Sequence, residues 1–389
     1  MTEREPIRAG VVLLSNAAIL AGTIVFGWSP LTVVAAFVID AALGTARILL
    51  ERSLAGRPPG EAVPPDDPYN SFEQFYGYLL AKRGAIRVAH RLPALYPRNA
   101  PFVFSRHIVF FALGVLAALT AVYVRLPAGG IAPSLVAVLP FVVGKHLSIL
   151  AGWHATGVYD RASAVTVRPR ELLYTVLVGL AAVLVAFAWP RGSEQVAAAT
   201  ALALVPKLAF DFREAGIGPC PLTFDPRAGA TEEPVEVPAG TPDRVFGTDD
   251  RAVDREALAF GLVYAIYPGL LVTGPWGVAA VVSFDSLRIT PATTALWVAL
   301  TLVVTLSVTF PWMRLGCANV EYRVYEGSLV AYDAFLEEPQ WVLSDNVRAV
   351  SVDGDVRIRG YDGTERRIEF LERPNEFARS VRRALVETA

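Results

Sequence analysis

The chain is poor in the residues that most site chemistry needs. It has two cysteines, four histidines and two methionines in 389 residues, and only three of its 35 basic residues are lysines: Lys82, Lys145 and Lys207. Cys220 and Cys317 are far apart in sequence, which leaves neither a disulfide framework nor a cysteine-rich metal site. HExxH and Cys/His clusters are absent, and His146 and His154 would stand about 12 Å apart along a helix, too far to share one ion. No GxSxG, P-loop or GxGxxG signature sits at a strand-to-helix junction, so no catalytic residue, metal or cofactor is assigned. Charge is scarce too, at 19% of residues against 53% hydrophobic, a balance that a soluble enzyme of this length rarely has.

What the chain has instead is long apolar segments. Eight are read as transmembrane helices: Ala9 to Gly27, Leu31 to Leu50, Ile108 to Val124, Ile131 to Trp153, Leu172 to Trp189, Val196 to Phe212, Leu258 to Gly274 and Thr293 to Met313. Most approach the roughly 20 residues that cross about 30 Å of hydrocarbon. With the N-terminus inside, 29 of the 35 Lys and Arg residues fall on the inner side, while the outer loops hold only Arg125, Arg191 and Arg288. This inside-positive bias predicts a cell-membrane protein with both termini cytoplasmic and the lipid bilayer as its constant partner. Gly277 to Phe284 is apolar but too short to cross. The first segment is full length, lacks a small-x-small cleavage site and is followed at once by a second, so it reads as a retained signal anchor.

The organisation follows from these spans. Residues 1–215 form a six-helix core with a cytoplasmic insert at about 70–98. Residues 216–254 are an acidic linker rich in proline and glycine, 255–315 a two-helix hairpin, and 316–389 a cytoplasmic domain. In the insert, Phe72, Phe75, Tyr76, Leu79 and Leu80 share one helical face, and Lys82, Arg83, Arg87 and Arg91 follow. Such a stretch suits a helix lying on anionic lipid headgroups, with those four cations at the interface, or equally a helix packed on the cytoplasmic domain.

From Val320 the apolar period changes to two. VEYRVYE, SLVAYDA, VRAVSV, VRIRGY and RRIEFL are separated by Glu326-Gly327, Asp353-Gly354 and Asp362-Gly363, the pattern of antiparallel hairpins. After Pro374, Phe377, Val381 and Leu385 recur every four residues while Arg379, Arg382 and Arg383 point elsewhere, which predicts a helix closing a small curved sheet. Two spans followed by YRVYEGSLVAYDAFLEEPQWVLSDNVRAVSV and a closing helix resemble the membrane-flanked pleckstrin-homology-like domains of prokaryotes. The resemblance implies a small α+β fold, not an activity. FGWSP, KHLSILAGWHATGVYDR and VPKLAFDF in the first six spans resemble an uncharacterised family of prokaryotic, largely halophilic archaeal, multi-pass membrane proteins. An arginine-rich, lysine-poor composition with an acidic inner loop fits a salt-adapted source. Residues 320–389 carry fourteen acidic against ten basic residues. A protein partner is therefore expected for this domain, and nucleic acid is not.

Ionisable residues inside spans cost several kcal/mol unless paired or hydrated, so they are the candidate site. Asp40, Lys145 and Lys207 lie at similar depths on helices running in one direction, with His146 and Asp211 beside them. One reading is an ion or proton pathway, with Pro140 and Pro206 breaking their helices just before the polar residues. The other is a buried ion pair that locks helices together. The sequence thus predicts a polytopic helical membrane protein with a small cytoplasmic sheet domain, acting as a non-catalytic anchor for a protein-interaction module. A small ion- or proton-coupled transporter is the alternative.

Overall fold

The computed structural model of the protein describes residues 5–58, 79–80, 82–87, 93–103, 132–164, 167, 170–217, 234–262, 299, 302–303, 306, 310–344 and 346–387. These divide into a helical unit and a sheet unit.

Among the described residues the helical unit contains five helices long and apolar enough to cross a membrane. They are α1 (Glu5–Val25), α2 (Pro30–Ser53), α3 (Leu135–Ala155), α4 (Glu171–Ala188) and α5 (Ser193–Glu214). They match the first, second, fourth, fifth and sixth apolar segments; the third, seventh and eighth lie largely or wholly outside the described residues. The turn from α1 to α2 uses Gly27 at φ +57°, and Ser29 then caps α2, its Oγ accepting the Thr32 N–H at 3.3 Å ahead of Pro30 at the first helical position. α2 packs on α3 and α4, α1 on α3 and α5, and α4 on α5. The polarity is that of a membrane bundle: Leu14, Val136, Leu147, Val176, Phe187, Leu202 and Val205 are exposed, whereas Asn16, Asp40, Lys145 and Lys207 are buried.

The expected helix breaks do not occur. α3 runs through Pro140 and α5 through Pro206 without interruption. Each proline removes one backbone donor, a loss that a helix surrounded by neighbouring helices tolerates.

Among the described residues the sheet unit has seven strands. β1 (Arg244–Phe246), β2 (Val320–Tyr325), β3 (Ser328–Asp333) and β4 (Glu338–Ser344) form one antiparallel sheet in that order. β5 (Val347–Asp353), β6 (Asp355–Gly360) and β7 (Glu365–Ile368) form a second. The hairpin glycines Gly327, Gly354 and Gly363 all adopt positive φ, which explains the Glu-Gly and Asp-Gly pairs between strands. α6 (Pro374–Leu385) buries Phe377, Ala378, Val381 and Leu385 against Val324, Leu329, Val350, Val356 and Ile358. Phe377 meets the rings of Phe246 and Tyr322 at centroid distances of 5.3 and 5.6 Å. Arg382 donates from Nε and Nη2 to the Val350 carbonyl, closing part of the β5 edge.

Two sequence expectations are corrected here. The acidic linker does not extend to residue 254, because 244–246 pair with β2, Thr248 bridges Leu371 and residues 250–262 are helical. β1 is only three residues long, too short for a periodic signal. The described basic part of the insert, residues 82–87, is not a helix either. Helical structure is seen at residues 79–80, and 82–87 run as irregular backbone with one antiparallel bridge from Ile86 to Leu95.

Close by, residues 253–257 and 313–318 bury Val253, Ala257, Met313 and Cys317 in a smaller cluster. Burial pushes the Cys317 thiol up to about 12, which keeps it protonated and unreactive.

Candidate functional site

The candidate lipid-interface residues separate. Lys82 is 4% exposed, and its ammonium pairs with the Asp333 carboxylate at the end of β3. A cation in that position cannot hold a headgroup, so Lys82 is not a lipid contact. The Arg83 backbone N–H donates to Gln340 Oε1 at 2.7 Å, and the Arg83 carbonyl accepts from Gln340 Nε2 at 3.2 Å. One side chain of β4 thus pairs the segment much as a neighbouring strand would. Arg87 is exposed, and Arg91 lies outside the described residues. For its described part, the insert packs on the sheet domain.

The candidate ion-pathway residues come together. Asp40 from α2, Lys145 and His146 from α3, and Lys207 and Asp211 from α5 form one buried cluster with Asn16 of α1. Lys145 Nζ lies 2.6 Å from Asp40 Oδ1 and 3.0 Å from Asp211 Oδ1. Lys207 Nζ lies 2.9 Å from Asp40 Oδ2 and 2.7 Å from Asp211 Oδ2. Each cation therefore touches both anions and each anion both cations. Asn16 adds to the shell: it accepts from Lys207 at 2.9 Å and donates to Asp211 at 2.9 Å.

A second quartet was not anticipated from the sequence. Arg47 and Glu51 of α2, Arg170 at the start of α4 and Glu214 at the end of α5 repeat the pattern. Arg47 pairs with Glu51 at 2.7 Å and with Glu214; Arg170 pairs with Glu51, and with Glu214 at 3.3 Å. Tyr174 of α4 donates to Glu214 at 2.6 Å. Its ring fits only because position 44 is glycine, where a Cβ would overlap the ring. Seven residues separate Asp40 from Arg47, about 10 Å along α2, so the quartets form two levels of one polar column. All eight charged side chains are at most 4% exposed.

The sequence held a signal for the second quartet. Arg47 and Glu51 are spaced i, i+4, and Asp211 and Glu214 i, i+3, which puts each pair on one helix face. Arg170 and Glu214 sit at span ends, where charges read as loop residues.

His146 Nε2 lies 3.1 Å from Asp40 Oδ1. His154 is exposed and stacks on Tyr159 at 5.4 Å, away from the cluster. Among the described residues no group of three or more His, Cys, Asp or Glu could hold a metal ion. Comparison of the chain with protein-family models, curated proteins and solved structures gives no match.

Proposed function

We propose that the protein is an integral membrane anchor: a rigid helical core of about eight spans, in the cell membrane with both termini cytoplasmic, that presents a pleckstrin-homology-like module for association with a protein partner. The carrying observation is the closure of the two quartets. Each of the eight buried charges meets two of opposite sign, so each quartet is neutral and no charge of either is left to hold a passing solute. Breaking such a network costs more than forming it returns, which suits a fixed scaffold. The uninterrupted α3 and α5 also remove the broken helices on which the carrier alternative leaned. The module reading rests on the order of four strands, three strands and closing helix, with residues 247–319 inserted between β1 and β2.

Purified full-length protein in liposomes tests this reading. The anchor predicts no movement of protons, sodium or potassium above that of protein-free vesicles, and a flux of any of them would overturn it. A tag after Ala389 should label only in permeabilised cells; labelling of intact cells would reverse the orientation.

A further inference from the structure

Several buried atoms of the polar column have no hydrogen-bond partner among the described residues, Arg47 Nε and Arg170 Nε among them, and one is an imidazole nitrogen able to take up a proton. Asp40, held by two ammonium groups, is a carboxylate and can only accept, so His146 Nε2 must be the donor in their contact. That assigns the Nε2–H tautomer and leaves Nδ1 as a lone pair. His146 is 5% exposed, and its Nδ1 has no hydrogen-bond partner among the described residues. A buried acceptor of this kind is costly unless something binds to it.

We propose that His146 Nδ1 is a proton-binding site, and that its occupancy moves Lys145 between two helices. Asp40 Oδ1 is shared by the Lys145 ammonium at 2.6 Å and by His146 Nε2 at 3.1 Å. While the imidazole is neutral, both fit at that oxygen. A proton added from solvent at Nδ1 makes the ring a second cation there, and repulsion then acts on Lys145. Lys145 has an alternative already in contact, Asp211 Oδ1 on α5 at 3.0 Å. Proton binding therefore exchanges an α2–α3 ion pair for a stronger α3–α5 one, with no bond broken other than that of the incoming proton to its carrier. The groups that face the ring or its partner oxygen set the balance: Asp40 and Arg47 from α2, Lys145 from α3 itself, Lys207 and Asp211 from α5, and Asn16 from α1. A lock of this kind still anchors the bundle while reporting the proton concentration on the side from which His146 is reached.

The chain's composition makes the test direct, because it has four histidines and three lysines. Full-length protein in detergent micelles is labelled with 15N at histidine and lysine and titrated over the range in which histidine ordinarily changes charge, about pH 5 to 8. The expected result is a His146 signal that passes from the Nε2–H tautomer to imidazolium, with the Lys145 Nζ signal shifting at the same midpoint. His146→Gln keeps a donor for Asp40 and removes the titrating atom, so both changes should vanish. If that variant fails to fold, replacing His90, His107 and His154 by Gln isolates the same signal. Lys145→Met removes the competing cation and should raise the His146 midpoint by about one pH unit or more. A His146 signal that stays in one state throughout, a resting Nδ1–H tautomer, or a midpoint unmoved by Lys145→Met would overturn the proposal.

Discussion

The helical unit and the sheet unit solve the burial of charge in opposite ways. In the helical unit the outside is apolar and the centre holds two closed quartets of ions, each neutral and each tying α2 to two or more other helices. In the sheet unit the centre is Phe377, Val381, Leu329 and Val356, and most ion pairs lie at the surface, as between Arg359 and Glu365 or Arg367 and Asp355. Lipid offers the bundle no hydrophobic reward for bringing helices together, so polar contacts and close packing must supply it. Water offers that reward to the sheet, and surface pairs there add little. Lys82 and Asp333 are the exception, a buried pair that fastens the insert to the end of β3.

Mutations should separate these two kinds of core. Glu214→Gln leaves Arg47 and Arg170 sharing one carboxylate, and removing one partner of a buried ionic group costs about 3 to 5 kcal/mol. Denaturant titration of the full chain in detergent, followed by helical circular dichroism, should show a loss of that size. Phe377→Ala opens the centre of the sheet unit, where truncation of a buried aromatic costs about 3 to 5 kcal/mol, and the loss should appear in the strand signal while the helical transition stays in place.

Smaller effects sharpen the contrast. Gly44→Ala forces Tyr174 to move, an overpacking cost of about 1 to 3 kcal/mol, and combining it with Tyr174→Phe should not restore stability because the ring still collides. Arg359→Ala, at a side chain 60% exposed, should change stability by less than about 1 kcal/mol and only at low salt. A large, salt-independent loss at Arg359 would mean that the surface pairs of the sheet are not peripheral.

Much of this arrangement is legible in the sequence, and the gaps have physical causes. The strands from Val320 onward announce themselves because a half-buried strand alternates and a tight hairpin needs glycine. Asp40, Lys145 and Lys207 stand out because an apolar span makes any charge conspicuous. The second quartet hides at the span ends, since Arg170 and Glu214 there look like ordinary boundary residues. β1 hides because three residues carry no period. Lys82 misleads because a cation beside an aromatic stripe has the same composition whether it meets a phosphate or a single buried aspartate. The partner, Asp333, lies 251 residues away, and only the fold brings them together.

The closed quartet is tested most directly by a double-mutant cycle on Asp40 and Lys145. Asp40→Asn alone leaves two ammonium groups facing one carboxylate, and Lys145→Met alone leaves two carboxylates facing one ammonium. Together they remove one charge of each sign and leave the Lys207–Asp211 pair, 2.7 Å apart, neutral and intact. The double variant should therefore be more stable in denaturant titration than either single variant. Losses that simply add would contradict the account, because they would mean that these charges do not balance one another.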